Sequence, residues 1–351
     1  MRILVAGGGV SGLATAVALG ARGHHVLVLE QRPVLTGDGA GVRLAPPAFR
    51  LLDRLGIGDA VRERSLVIDE FRVMDGATGE PVSAIALPAR HGDGRPTHAT
   101  AHRLDVYEPL LEACWELESV QLLADSRVVG YTEHGESVVA TLADGRSVTG
   151  DALILSGTAR SVVRRDPRWA DRTPRSRLAV YHTVLPMELV ADRWQDGAAT
   201  SWVGAQWQVA HFPLPDSRYL SLSATRHRYG GADLDGTRVD LEQVLAAFPE
   251  IGYAARNVLT MGRDWRAWTV PDRAAGAGRV RGRVALVGER AEASGPLEDP
   301  GGLRHALEDA VDLGTGWDAS AGDALRWLAD FDARRTAPAP EVPTGCGGGL
   351  R

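Results

Sequence analysis

The sequence predicts an α/β fold in which a parallel sheet with packed helices forms one domain and a mixed sheet forms another. A strand, a glycine-rich turn, a helix and a second strand fill the first thirty residues. Apolar segments typical of buried parallel strands return far along the chain, at Ala152–Leu155 and Val284–Val287. From about Leu178 the composition changes, and the predicted strands become rich in Trp and Tyr, which indicates a separate sheet.

The opening unit contains the parts of a Rossmann-like dinucleotide-binding fold in the right order. Arg2–Ala6 is predicted as a short apolar strand, Gly7–Gly12 fits the pattern G-x-G-x-x-G, and Leu13–Ala21 is an alanine-rich helix. His25–Leu29 is the second strand, and Glu30 follows it directly. The complete pattern favours a dinucleotide site over a plain glycine-rich turn.

Each part of this unit has a defined role in holding a dinucleotide. Gly7 permits the tight turn, Gly9 lets the backbone approach a pyrophosphate, and Gly12 lets the helix pack close to the strand. The start of the helix offers free N–H groups and a partial positive charge to that anion. Glu30 would accept hydrogen bonds from ribose hydroxyls, and its charge would repel a 2′-phosphate. The residues expected to contact the dinucleotide here are Gly7, Gly9, Val10, Ser11, Gly12, Glu30, Gln31 and Arg32.

Composition excludes several classes of protein. The 351 residues include 39 basic and 45 acidic side chains, and the net charge of −6 argues against a nucleic-acid partner or an anionic membrane surface. Every basic residue is Arg, so enzymes that need a Schiff-base or P-loop lysine are excluded. No apolar run is long enough to span a membrane. Cys114 and Cys346 indicate no disulfide framework, which fits a reducing cytoplasm.

The remaining elements follow from apolar periodicity and turn residues. Pro46 and Pro47 begin a helix that runs through Leu55. Residues 89–100 are predicted to be a polar surface loop, and the H-x-x-x-H spacing of His98 and His102 indicates no metal site there, because the segment lacks helical periodicity. The aromatic strands after residue 178 either line an aromatic-substrate pocket or form a plain hydrophobic core. Further strands are predicted at 71–74, 82–87, 120–123, 128–132, 138–142, 178–185, 200–203, 209–213 and 219–224, and further helices at 103–118, 241–248, 303–313 and 324–335.

Several segments together resemble the class A flavoprotein monooxygenases, the aromatic-hydroxylase-like group that includes salicylate and p-hydroxybenzoate hydroxylases. They are the opening fingerprint through Glu30, then Gly39–Leu44, His102–Val106, Gly282–Gly288 and Ala306–Ala310. The resemblance implies a Rossmann-like, glutathione-reductase-type FAD-binding domain of residues 1–70, 100–175 and 275–335. It also implies an inserted mixed-sheet substrate domain of residues 71–99 and 176–274. Residues 336–351 are expected to be a disordered tail.

The resemblance implies further contacts with FAD, and two motifs depart from the family pattern. Arg103 would reach the cofactor from the start of its helix, and Glu289 would bind the ribityl chain. Gly157 stands where the family has an aspartate, and Glu298 and Asp299 fall where backbone N–H groups face the flavin. Carboxylates at that edge would oppose flavin reduction. The other residues that the resemblance places at the cofactor are Arg43, Gly288, Pro296, Gly301 and Gly302.

The leading hypothesis is an FAD-dependent monooxygenase that hydroxylates or epoxidises a small aromatic or polyketide-like substrate with NAD(P)H and O2. NAD(P)H would bind transiently, because no second G-x-G-x-x-G follows a strand. His211 and His182 are candidates for activating a phenol, and each could instead be a structural residue of its strand. The partner is a small-molecule substrate, and the chain is expected to act as a monomer or homodimer.

Two other hypotheses stay open. The departures at Gly157 and Glu298–Asp299 favour a redox-silent relative that binds FAD weakly or not at all. Such a protein would catalyse a non-oxidative step, for example a cyclisation in secondary metabolism, or would only bind a ligand. An NAD-dependent dehydrogenase would share the opening fingerprint, but it would leave the order of the later matching segments unexplained.

Overall fold

The structure, a computed structural model, describes residues 1–35, 40–88, 97–157, 162, 166, 168–169, 176–195, 197–228, 234–272, 278–288, 302–317 and 322–336. The strands in these ranges are β1 (Arg2–Ala6), β2 (His25–Leu29), β3 (Gly41–Leu44), β4 (Leu66–Val67), β5 (Glu70–Asp75), β6 (Pro81–Ala86), β7 (Ala99–His102), β8 (Val120–Leu123), β9 (Val128–His134), β10 (Ser137–Leu142), β11 (Ser147–Gly150), β12 (Ala152–Ser156), β13 (Ser176–Pro186), β14 (Ala199–Val203), β15 (Trp207–Pro213), β16 (Tyr219–Arg228), β17 (Asp235–Arg238), β18 (Arg266–Asp272), β19 (Val280–Arg281) and β20 (Val284–Val287). The α-helices are α1 (Val10–Gly20), α2 (Pro46–Arg54), α3 (Gly58–Glu63), α4 (Arg103–Glu116), α5 (Leu241–Ala247), α6 (Tyr253–Met261), α7 (Leu303–Gly316) and α8 (Ala324–Thr336).

The first sheet carries the opening unit. Among the described residues its strand order is β19-β20-β12-β1-β2-β8. Strand β1 pairs in parallel with β12 and β2, and β20 pairs in parallel with β12, so the predicted parallel return of Ala152–Leu155 is confirmed. The carboxyl ends of these four strands therefore lie side by side, at the edge where open α/β sheets bind ligands.

Helix α1 packs tightly because small residues line it. A Cβ added at Gly314 of α7 would lie 2.9 Å from the carbonyl oxygen of Ala18 in α1. On another side, Cys114 of α4 places its Sγ 3.7 Å from the carbonyl oxygen of Leu13. Most of α1 is buried, which explains why an alanine-rich sequence without a polar face forms this helix.

The second large sheet has the order β17-β18-β13-β16-β15-β14-β5-β6 in the described chain. Helices α5 and α6 cover one of its faces and share a core with the sheet's buried aromatic residues. Tyr181, Trp202 and Trp207 belong to that core, so these aromatic side chains form packing and do not line a pocket. These three residues fit the hydrophobic-core alternative, while Phe212 lies on the opposite face of the same sheet.

The described residues also form two smaller sheets. In the part that the structure describes, β3, β7 and β4 form one, and β9, β10 and β11 form a meander closed by a turn at Gly145, whose φ is +89°. The prediction that 89–100 is wholly loop was wrong at its end: Ala99 and Thr100 begin β7, because they pair with β3 and are buried. The amphipathic pattern of residues 103–118 predicts Trp115 on the apolar face of α4, but this residue is 65% exposed.

The helix predictions were partly correct. Helices α3 and α6 were not predicted, and the helices predicted at 103–118, 303–313 and 324–335 are present with slightly different ends. None of the described helices is long and apolar enough to cross a membrane. The domain boundaries stay a prediction, and almost all of the predicted tail lies outside the described residues.

Candidate functional site

The glycine turn after β1 leaves open space next to the start of α1. Gly7 has a φ of +110°, which a residue with a side chain rarely adopts. A Cβ at Gly12 would overlap the carbonyl oxygen of Gly7 and lie 3.0 Å from its carbonyl carbon, whereas a Cβ at Gly9 would meet nothing within 4 Å. Gly12 is therefore required by packing, while Gly9 faces open space. We call the region bounded by Gly7–Ser11, Glu30, Gly157 and Gly288 the carboxyl-edge crevice.

The start of α1 presents unused hydrogen-bond donors to this crevice. Gly9 is the N-cap and has no side chain that could cap the helix, and the first turn contains no acidic residue. The Ser11 hydroxyl is buried and has no hydrogen-bond partner in the described part of the chain. Uncapped N–H groups, a helix dipole and a hydroxyl together form a donor set for a phosphate or other anion.

Glu30 lies at the other side of the glycine turn and is 5% exposed. Its Oε2 accepts a hydrogen bond of 2.5 Å from the Gly8 N–H, and its Oε1 accepts one of 3.0 Å from the Arg32 N–H. These bonds fix the carboxylate beside the turn, together with Gln31 and Arg32 that follow it. Each oxygen can accept another hydrogen bond, so the carboxylate still suits a ribose diol.

Gly288, at the end of β20, closes the crevice from the opposite side. Its φ is +69°, and a Cβ there would lie 2.7 Å from the Cβ of Ser11. Its N–H donates a 2.9 Å hydrogen bond to Oδ2 of Asp309 in α7. Asp309 lies in the matching segment Ala306–Ala310, but the sequence alone indicates no role for this carboxylate.

Asp309 is the centre of a buried ionic cluster and is 0% exposed. Arg279 Nη1 lies 2.5 Å from its Oδ2, and Arg335 Nε of α8 lies 2.7 Å from its Oδ1. A carboxylate without water needs such partners. The cluster joins α7 and α8 to Gly288 and so holds one wall of the crevice.

Gly157 directly follows β12 at the crevice and supplies no carboxylate there. A Cβ added there would meet nothing within 4 Å, so a larger side chain fits. The preceding Ser156, for which the sequence alone indicates no role, donates from Oγ to the carbonyl oxygen of Ala6 at 3.0 Å. Ser156 is buried and ties β12 to the end of β1, just before the glycine turn.

Arg103 and Arg43 are further along the predicted path of the cofactor. Arg103 is the first residue of α4, and its N–H donates a 2.7 Å hydrogen bond to the carbonyl oxygen of Ala40. The guanidinium carbon of Arg43, in β3, lies 5.3 Å from the ring centre of Phe71 and 5.9 Å from that of Phe212. Gly302, with a φ of +70°, precedes α7, whose start no side chain caps.

The two candidate catalytic histidines lie on opposite faces of the eight-stranded sheet. His182 pairs with Ser223, whereas His211 pairs with Leu222, which is in the core under α5 and α6. The His211 ring packs edge-on against Trp194, with ring centres 5.3 Å apart. The structure therefore does not bring these two histidines together.

His182 faces β3 of the small sheet. Its Nε2 lies 3.3 Å from the Gly41 N–H, which donates to it, and 3.1 Å from Ser221 Oγ. Burial, together with the nearby His102, lowers the pKa of His182 to about 4. The ring is therefore neutral at physiological pH, and Nε2 acts as an acceptor. Glu289, Pro296 and Gly301, and also Glu298 and Asp299, lie outside the described residues.

Known proteins match this chain over nearly its whole length. A sequence profile for the FAD binding domain matches residues 1–337. The chain is 31% identical over 321 residues to 3-hydroxybenzoate 6-hydroxylase 1 of Aquipseudomonas alcaligenes, which covers 89% of this chain and 79% of that protein. It is 33% identical over 314 residues to the 3-hydroxybenzoate 6-hydroxylase of Polaromonas naphthalenivorans (strain CJ2), covering 89% and 78%.

Solved structures agree with the fold. Klebsiella pneumoniae HpxO, complexed with FAD and uric acid, matches with a TM-score of 0.72 and 23% identity, over 96% of this chain and 84% of that one. A salicylate hydroxylase substrate complex matches with a TM-score of 0.69 and 21% identity, over 96% and 84%. The profile match and the sequence relatives show that the chain belongs to the FAD-binding-domain family, among the class A FAD-dependent monooxygenases of the aromatic-hydroxylase type.

Proposed function

We propose that this chain uses FAD, NAD(P)H and O2 to hydroxylate or epoxidise a small aromatic or polyketide-like molecule. The observation that carries the proposal is the open space at Gly9, at the uncapped start of α1. The Ser11 hydroxyl, unpartnered among the described residues, adds a donor at the same place. FAD, when bound, supplies the chemistry by accepting a hydride from nicotinamide and reacting with O2.

The side of the crevice formed by Gly7–Ser11 and Glu30 offers a place for each part of the adenosine diphosphate portion of FAD. The N–H groups of Val10 and Ser11 at the start of α1 would bind the pyrophosphate, with Gly9 leaving it room and Gly7 and Gly12 shaping the turn. Glu30 would accept the ribose hydroxyls, with Gln31 and Arg32 beside it. Arg103, Arg43, Gly288 and Gly302 would border the rest of the cofactor, and Glu289, Pro296 and Gly301 stay predicted contacts.

We place the substrate against the sheet face that is turned toward β3. The strand register puts small side chains on this face, including Ser201, Ala210 and Ser223. Phe212 lies on the same face, and a Cβ at Gly41 would lie 2.9 Å from its ring. Small side chains next to one aromatic wall suit a flat ring, and the 3-hydroxybenzoate 6-hydroxylases among the relatives support an aromatic substrate.

Arg43 supports a substrate that carries negative charge. Its guanidinium group stacks near Phe71 and Phe212, so a cation lies at the aromatic wall of the proposed substrate site. A guanidinium group binds carboxylates with paired hydrogen bonds. A hydroxybenzoate has both the flat ring and the carboxylate that such a site would bind.

The geometry favours a positioning role for His182 over a role as the base that activates a phenol. Its Nε2 already accepts from Gly41 and contacts Ser221. These bonds hold β3 against the sheet at the proposed substrate site. His211 lies on the opposite face, in the aromatic core. The sheet therefore separates its ring from the proposed substrate site.

The proposal is tested with purified protein. The visible absorption spectrum should show a bound flavin, or the apo-protein should bind added FAD in a fluorescence titration. Anaerobic mixing with NADH or NADPH should bleach the flavin, and readmitted O2 should convert a hydroxybenzoate into a product heavier by one oxygen atom. Failure to bind FAD would overturn the proposal. We further expect a cytoplasmic monomer or homodimer.

One observation favours the redox-silent alternative. Gly157 supplies no carboxylate at the crevice, so the cofactor loses a hydrogen-bond acceptor there. A protein that binds FAD yet is reduced by neither nicotinamide would support a non-oxidative role, such as a cyclisation. The anaerobic experiment therefore separates the two functions.

A further inference from the structure

Tyr107 has a buried hydroxyl whose partner is missing from the described chain. The residue lies in α4 and is 2% exposed, yet its Oη makes no hydrogen bond within the ranges that the structure describes. Buried hydroxyls almost always have a partner, because leaving one without a hydrogen bond is unfavourable. The position of this hydroxyl indicates what its partner is.

Helix α4 runs alongside α1 in the same direction. Ser119, just after α4, donates to the carbonyl oxygen of Gly20 at the end of α1, at 3.1 Å. Cys114 contacts the carbonyl oxygen of Leu13, nearer the start of α1. Tyr107 lies seven residues before Cys114, about 10 Å back along the helix axis. This distance brings Tyr107 level with the glycine turn that precedes α1.

The charges around Tyr107 agree with this position. Burial raises the pKa of Tyr107 to about 12, the negative charge of Glu30 adds to the rise, and the positive charge of Arg32 opposes it. Glu30 and Arg32 flank the glycine turn where the adenosine end of the cofactor is proposed to bind. At neutral pH the phenol is therefore protonated and can donate its hydrogen.

We propose that Tyr107 is a cofactor-binding residue whose hydroxyl donates a hydrogen bond to an oxygen of the adenosine diphosphate portion of FAD, beside Glu30. This assignment rests on the proposed function, because it needs FAD in the crevice. It explains a polar atom that is buried without a hydrogen-bond partner among the described residues. Sequence patterns do not reveal it, because a tyrosine on the apolar stripe of a helix is expected in a core.

The test is Tyr107→Phe, which removes only the hydroxyl. FAD and ADP are each titrated into apo-protein by calorimetry, and thermal unfolding of the apo-protein is followed in parallel. Both ligands should bind about two- to tenfold more weakly, the loss expected for one neutral hydrogen bond. The unfolding midpoint of the apo-protein should stay the same or rise, because the variant removes a buried hydroxyl that has no partner in the described part of the chain.

Tyr131→Phe is the matched control. The Tyr131 hydroxyl accepts a 2.8 Å hydrogen bond from Trp169 Nε1 and bonds Asp166, away from the crevice. This variant should lower the unfolding midpoint and leave FAD affinity unchanged. Unchanged FAD affinity in Tyr107→Phe, or a loss for FAD without a matching loss for ADP, would overturn the inference. If the wild-type protein bound neither FAD nor ADP, both this inference and the proposed function would be wrong.

Discussion

Gly9→Ala and Gly12→Ala should have opposite effects, although both replace a glycine of the same turn. The Cβ at position 9 enters open space, and the backbone at Gly9 (φ −78°, ψ −178°) suits alanine without strain. The Cβ at position 12 overlaps a backbone carbonyl that cannot rotate away. The first change therefore affects what binds in the crevice, and the second affects the protein itself.

The sizes of the two effects follow from these contacts. Gly9→Ala should change the free energy of unfolding of the apo-protein by no more than about 0.5 kcal/mol. It should weaken FAD by about ten- to hundredfold, because the pyrophosphate must retreat and lose a charged hydrogen bond of about 1.5–3 kcal/mol. Gly12→Ala should destabilise the apo-protein by about 1–3 kcal/mol or more, since β1 and α1 must separate.

Two measurements on each variant separate these outcomes. Urea unfolding of apo-protein gives the free energy of unfolding, and titration with FAD gives the dissociation constant. If Gly9→Ala bound FAD as tightly as wild type, the pyrophosphate would not lie against this turn. If Gly9→Ala destabilised the apo-protein as much as Gly12→Ala, the added Cβ at position 9 would be in contact with other atoms and not in open space. Either result would refute the reasoning from the turn.

Three further changes test other parts of the site. Gly157→Asp should tighten FAD by about ten- to hundredfold in a titration, because it restores a charged acceptor, while Gly157→Asn should gain less. His182 has a pKa of about 4 in the folded protein and about 6.5 unfolded, so it stabilises the fold fully above pH ~6.5 and this contribution is lost as pH falls toward 4. Urea unfolding should show a loss of up to about 3 kcal/mol over that window, which His182→Asn should remove and the exposed His134→Asn should not. Asp309→Asn should cost about 3–5 kcal/mol of unfolding free energy, because it removes the buried carboxylate that pairs with Arg279 and Arg335, whereas Asp312→Asn, on a half-exposed ion pair, should cost less than about 1 kcal/mol.

The opening unit was predictable because its signals are local. The glycine spacing, the apolar strands and Glu30 lie within thirty residues, and the structure gives β1 and β2 the predicted bounds. The strand positions around residues 178–224 were also predicted, since each strand has its own apolar run. Helix α6 was missed because Gly252, its N-cap, provides no side-chain cap to mark its start.

The roles of single side chains were harder to predict, because they depend on pairing between distant segments. Which face His182 and His211 occupy depends on the register of β13 and β15 with β16. Asp309 resembles an ordinary helix carboxylate until the fold brings Arg279 and Arg335 to it. Tyr107 resembles a core residue until α4 is aligned with α1. No local pattern contains these long-range contacts.

The crevice also explains how this chain can lose one family carboxylate and keep a cofactor site. The groups proposed for the adenosine diphosphate portion belong to α1, α4 and the segments that follow β1 and β2, and they are held by their own contacts, such as the hydrogen bonds that Glu30 accepts from the Gly8 and Arg32 N–H groups. Gly157 belongs to β12, a separate strand, and nothing in the glycine turn depends on a side chain there. A change at Gly157 should therefore alter FAD affinity without altering ADP affinity. Titration of Gly157→Asp with both ligands tests this separation, and an equal gain for FAD and ADP would contradict it.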